Sequence, residues 1–125
     1  MRLKRSRQKT LYLYNRTVGR DAEGGTQESF PEAGTTVCGE WWPASGKLQE
    51  DLYGQRLPYI RNIRLSERYE VKTDAKGRTY YYLPDRDTEL READRIGIET
   101  DLPQYRILSI RSERFLRIEV EAVVQ

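Results

Sequence analysis

Gln104-Tyr105-Arg106-Ile107-Leu108-Ser109-Ile110-Arg111 and Phe115-Leu116-Arg117-Ile118-Glu119-Val120-Glu121-Ala122-Val123 are the two runs whose reading decides the fold. In the second, Leu116, Ile118, Val120, Ala122 and Val124 fall on one face and Arg117, Glu119 and Glu121 on the other. Successive strand residues point to opposite sides, so this pattern predicts a half-buried strand with one wet face. Only Ser112, Glu113 and Arg114 separate the two runs, which predicts a tight antiparallel hairpin. Asp94-Arg95-Ile96-Gly97-Ile98 supplies a third strand just upstream.

Working outward, the same signals recur toward the N-terminus. Lys9–Asn15 alternates polar residues with Leu or Tyr and reads as the first strand, with 16–25 as the loop that reverses it. Thr26–Phe30 is expected as the returning strand, and Thr36–Trp42 as the next, closed by Pro43. Tyr59–Leu65 reads as a strand, and Tyr69–Thr73 with Arg78–Leu83 as a hairpin turning through Asp74-Ala75-Lys76-Gly77. The polar stretch Pro84–Ala93 is expected as a loop. Between the strands, Leu48 and Leu52 fall four apart after a possible Ser45 cap and before Gly54, a spacing suited to one or two helical turns with an apolar edge.

Seven or eight short strands and at most one short helix predict an all-β domain, a small SH3-like antiparallel β-barrel with long loops. Its core is expected to draw on Ile96, Ile98, Ile107, Leu108, Ile110, Leu116, Ile118 and Val120. At 125 residues one domain is expected, with residues 1–8 as a flexible basic arm, 9–125 as the barrel and 66–91 as an inserted hairpin or loop.

Composition narrows the chemistry. The chain has no histidine and a single cysteine, Cys38, so neither an internal disulfide nor a Cys/His zinc site can be built. Cys38 lacks a histidine base and reads as a buried structural thiol. Asp85-Arg86-Asp87 and Glu99-Thr100-Asp101 read as solvated loop acids and Asp94-Arg95 as a strand-edge ion pair. No catalytic residue, metal or cofactor is therefore expected, and the chain is read as non-enzymatic. No apolar run reaches the ~20 residues of a membrane span, and an unprocessed cytoplasmic chain is the expectation.

Charged residues make up 34% of the chain while the net charge is only +2, so charge of both signs is spread over a large surface. The basicity is local: Arg2, Lys4, Arg5 and Arg7 precede the first strand without an acid among them. Trp41 and Trp42 are adjacent and cannot both enter one core from one strand, so one of them is expected at an interface. A second class of function, a small β-barrel that binds nucleic acid directly, draws on Tyr80, Tyr81, Tyr82 and the basic arm.

Three blocks resemble the head closure, or head-tail adaptor, proteins of long-tailed bacteriophages. Thr10-Leu11-Tyr12-Leu13-Tyr14-Asn15-Arg16 with Asp21-Ala22-Glu23-Gly24-Gly25 is similar to the family's first strand and acidic glycine turn. Glu40-Trp41-Trp42-Pro43-Ala44-Ser45-Gly46-Lys47, leading to Tyr53-Gly54-Gln55-Arg56-Leu57-Pro58-Tyr59, resembles its central segment. Glu92-Ala93-Asp94-Arg95-Ile96, followed by Pro103 to Arg111, resembles its closing strands, with Ala93 where the pattern has glycine. Together the blocks cover most of the chain outside 66–91, where the hairpin departs from the pattern.

The resemblance implies a virion component, assembled in the bacterial cytoplasm, that forms a ring below the portal. Such a ring closes the filled head, retains packaged double-stranded DNA in its channel and offers the surface for tail attachment. Its implied partners are a portal-side adaptor protein, a tail or tail-completion protein and further copies of itself, with no membrane. On this view Trp41, Trp42, Tyr53 and Tyr59 are candidates for contacts between subunits or rings. Asp74, Lys76, Gly77 and Tyr81 are candidates for a channel or docking loop, as is the segment 46–58, while Arg2, Lys4, Arg5 and Arg7 form an arm expected to order on binding.

Overall fold

The computed structural model describes residues 8–20 and 22–123. The basic arm carrying Arg2, Lys4, Arg5 and Arg7 lies outside the described residues, as do Asp21 and Val124. The strands are β1 (Lys9–Tyr14), β2 (Thr17–Arg20), β3 (Thr26–Ser29), β4 (Thr35–Pro43), β5 (Ile60–Leu65), β6 (Glu70–Thr73), β7 (Thr79–Leu83), β8 (Thr88–Leu90), β9 (Arg95–Ile98), β10 (Tyr105–Ser112) and β11 (Leu116–Ala122). Helix α1 (Lys47–Tyr53) and the 3-10 helix Gly54–Tyr59 lie between β4 and β5.

Six strands close into an antiparallel barrel in the order β1-β4-β5-β11-β10-β9, with β9 pairing back onto β1. Closure leaves this sheet without a free edge. The small all-β barrel expected from strand patterning is therefore the architecture observed. The β10–β11 hairpin is in place, with Ser112 opposite Leu116 and Tyr105 opposite Ala122. Leu116, Ile118 and Val120 are each at most 1% exposed, whereas Arg117, Glu119 and Glu121 face outward and are half-buried.

The expected core needs one correction. Ile107 is buried, but its neighbour Leu108 is only half-buried, because the register against β11 shifts between Ile107 and Ser109 and leaves Leu108 in a bulge. The bulge restores the alternation, so Ile110 again leans on the core opposite Ile118. At the other end of β9, the chain folds back closely over Gly97. A Cβ there would collide with the carbonyl oxygens of Thr100 and Leu102, and only glycine admits that approach.

Two stretches expected as loops each contribute a strand to a sheet. The segment after β1 does not simply reverse: β2 and β3 pair with each other as a two-stranded ribbon, so Thr26–Ser29 returns along β2 rather than along β1. All eight ribbon residues are exposed, which is why no hydrophobic alternation marked β2. The 66–91 segment forms a three-stranded sheet, β6-β7-β8, in which Thr88–Leu90 lies in the stretch expected as a loop. Three residues, too few to display a period, make up that strand. Leu83 and Leu90 are fully buried and Tyr81 is 7% exposed, all within the same core cluster as the barrel strands.

Candidate functional site

Strand alternation separates the two tryptophans. Trp41 packs against the core cluster, with the Arg61 guanidinium 5.8 Å from its ring, and its buried indole Nε1 has no hydrogen-bond partner. Trp42 points outward between the guanidinium groups of Arg64 and Arg117, at 5.4 and 5.9 Å. Cation–π contacts of this kind hold a half-buried, outward-facing indole between two arginines. Trp42 is thus the outward member of the pair.

Beside Trp42 lies a groove of about 740 Å³ between α1 and the outer faces of β5, β10 and β11. Helix α1 forms at the expected place, but its details differ. Ser45 is not the cap; Gly46 occupies that position at φ 92°, and the Ser45 amide donates to Gln49 Oε1 at 3.1 Å. The apolar edge faces away from the barrel, leaving Leu48 82% and Leu52 66% exposed. What ties the helix down is polar: Gln49 Nε2 donates to Asn62 Oδ1 at 2.7 Å and to Glu119 Oε2 at 2.8 Å. Asn62 returns a bond to Gln49 Oε1 at 3.1 Å.

Glu119 is the hub of that floor. Burial works to raise its carboxyl, but donors from Gln49, Ser109 and Tyr53 outweigh it and hold the group below the usual carboxylate range. Tyr53 answers in the other direction, its phenol pushed up to about 12 by burial and by Glu119. Tyr53 is half-buried beside Glu119, with the Arg56 guanidinium 5.6 Å from its ring. Tyr59 remains 51% exposed at the end of the 3-10 helix. Around the rim, the cations Lys47, Arg111 and Arg117 face one acid, Glu119.

The second feature is the β2–β3 ribbon. Its base is clamped by Glu28, which accepts from Arg16 at 2.7 Å and from Arg95 at 3.3 Å. Arg95 also lies 4.3 Å over the Phe30 ring. Beyond this clamp the two strands stand clear, with Val18 49% exposed. The sequence marks β3 at Thr26–Phe30 but neither β2, its pairing with β3, nor the orientation of Leu48; these depend on which surfaces the barrel leaves uncovered.

The candidate loop residues separate as well. Asp74 Oδ1 accepts the amides of Lys76 and Arg78, each at 2.9 Å, and the Arg78 amide is foremost in holding its carboxyl below the usual range. Gly77 supplies the left-handed residue that this turn needs, at φ 79°. Asp74, Lys76 and Gly77 thus form a tight tip. Tyr81 does not belong to it and sits in the core. Tyr80 is covered by Arg91 at 3.9 Å, and Tyr82 donates to Asp87 at 2.6 Å.

A polar knot lies at the barrel end near the ribbon. Asp94, expected as a strand-edge partner of Arg95, is instead 2% exposed. It accepts the Arg16 amide at 2.8 Å, the Arg91 amide at 2.9 Å and Asn15 Nδ2 at 3.1 Å. Burial pushes its carboxyl up against the pull of these donors. Thr88 and Glu89 of β8 join through Asn15, so one acid links β1, β8 and β9. Cys38, expected buried, is half-buried, with Arg86 3.4 Å from its sulfur. Among the described residues, no group of three or more Cys, Asp or Glu is arranged to hold a metal ion. No described helix is long and apolar enough to cross a membrane. No protein family and no curated protein matches this chain.

Proposed function

We propose that this chain is a structural subunit of a tailed-phage head-tail connector, a ring component that closes the filled head, retains DNA and receives the tail. The observation that carries the reading is the β2–β3 ribbon, a pair of strands exposed along its whole length on a barrel whose own edges are closed. A two-stranded ribbon alone is marginal in water, so its retention is understandable where another subunit covers it. The exposed Leu48 and Leu52 beside outward Trp42 supply a second uncovered surface. A ring subunit needs more than one such surface, whereas a self-contained catalyst needs a constellation of reactive groups.

The role is structural on this reading, with portal-side adaptor and tail-completion proteins as partners and duplex DNA in the channel. Resemblance of the three sequence blocks to head closure proteins supports the same assignment. The tyrosines that motivated direct nucleic-acid binding give that alternative little support, since Tyr80, Tyr81 and Tyr82 are respectively covered, buried and bonded within the chain.

The test is a size measurement of the purified chain alone and with portal-side ring proteins encoded beside it, accompanied by a salt titration against DNA. A defined complex with the rings and weak DNA binding is expected. DNA binding that falls steeply with salt, without any ring complex, would favour the nucleic-acid reading instead.

A further inference from the structure

The groove and the ribbon occupy opposite sides of one barrel. The ribbon leaves β1 and is clamped to β9, whereas the groove is centred over β5 and β11, with Trp42 of β4 and Ser109 and Arg111 of β10 at its flanks. In the cyclic order β1-β4-β5-β11-β10-β9, β11 is three strands from β1 and β5 is three from β9, half-way round in each case. Within one copy the clamp to Arg95 of β9 holds the ribbon on the side away from the groove's centre. A second copy can bring its ribbon there.

Their chemistry is complementary. The groove sets three cations against one acid, a balance of 3 − 1 = +2, around the apolar side chains of Leu48, Leu52 and Trp42. In the stretch Thr17–Glu32, with Glu28 already clamped by Arg16 and Arg95, Arg20 stands against Asp21, Glu23 and Glu32, a balance of 1 − 3 = −2, and Val18 is exposed. Glu119 adds no acceptor in search of a partner, because Gln49 and Ser109 already donate to it. An acidic ribbon with an apolar residue therefore fits this groove better than a basic or wholly polar segment.

We propose that the β2–β3 ribbon of one copy seats in the α1 groove of the next. The inference deepens the ring reading and rests on it. Because the two surfaces differ and lie half-way round the barrel from each other, the contact is head-to-tail, the kind that leaves a free ribbon and a free groove after every addition and closes only as a ring. Two identical patches facing each other would stop at a dimer.

Sedimentation of the full chain and two surface variants tests this. Val18→Arg spoils the ribbon and Leu48→Arg spoils the groove, both at exposed positions where folding is readily checked by circular dichroism. Wild type is expected to self-associate with rising concentration, and less so in high salt. Each variant alone should associate about tenfold more weakly or worse. Their equimolar mixture should form a 1:1 dimer that grows no further, since it contains one intact ribbon and one intact groove.

A mixture that stays monomeric while wild type associates would overturn the ribbon–groove contact, leaving the ring reading to another lateral surface. A wild type that stays monomeric at every attainable concentration would also overturn it. Binding of the chain to the portal-side ring, measured separately with the Val18→Arg variant, decides the ring reading independently of this contact.

Discussion

Ala93 and Asp94 show what single residues do in this fold. Ala93 adopts φ 73°, in the left-handed region where a Cβ crowds the following carbonyl. Glycine, having no Cβ, meets no such crowding at this place. Ala93→Gly should stabilise the chain by about 1 kcal/mol, as strain relief exceeds the entropy that glycine adds to the unfolded state. Denaturant titration checks this; an unchanged or lowered midpoint would contradict it. Asp94 is the opposite case, a side chain the surroundings require. Asp94→Ala leaves the amides of Arg16 and Arg91 and the Asn15 side chain without their acceptor, at a cost of about 3 kcal/mol or more. Thermal unfolding should show a large drop. Burial of Asp94 was not legible in the sequence, because an acid beside an arginine looks the same whether it meets solvent or three convergent donors.

Strands with one dry face were the legible elements. In β11 the period of two runs through Leu116, Ile118 and Val120, and each of these is buried. Ile118→Asp places a carboxylate in that core and should abolish folding, whereas Leu48→Asp, at a position 82% exposed, should shift stability by no more than about 0.5 kcal/mol. Comparing the two by circular dichroism and denaturant titration tests the assignment of faces, and a folded Ile118→Asp chain would refute it. Elements with no dry face, or too short to show one, were legible only where turn residues framed them, as at Thr26–Ser29 and Glu70–Thr73, while β2 and β8 went unmarked. The ribbon residues show no apolar alternation, and β8 is only Thr88–Leu90. For α1, the Leu48–Leu52 spacing correctly marked a helix but could not say which way it faced. That was decided by Gln49 bonding to Asn62 and Glu119 on the barrel.

Across the whole molecule, charge is organised as many surface pairs, and this sets the response to acid. Glu28 is held below its ordinary value chiefly by Arg16, Asp85 by Arg68 and Glu121 by Arg56, while Asp74 is held low by backbone amides. Stability contributed by such groups is present above their unfolded pKa and is lost as pH falls through the lower folded value. Asp94, with its raised carboxyl, runs the other way: its contribution is greatest in acid and fades as pH rises through its folded value. Four groups plus Glu119 oppose one, so the denaturation midpoint should decline as pH drops below ~4, the usual carboxylate range. A midpoint rising from pH 5 to pH 3 would mean that Asp94 dominates instead.

The barrel follows from alternation, whereas the proposed connector role draws on what the closed barrel leaves uncovered: a ribbon on one side and a groove on the other. The most direct test of the proposed connector role is electron microscopy of particles assembled by a tailed phage whose genome carries this gene, with the gene deleted. The account predicts free tails beside tailless heads that have lost their DNA, restored when the chain is supplied in trans. Normally tailed, DNA-filled and infectious particles in its absence would contradict it.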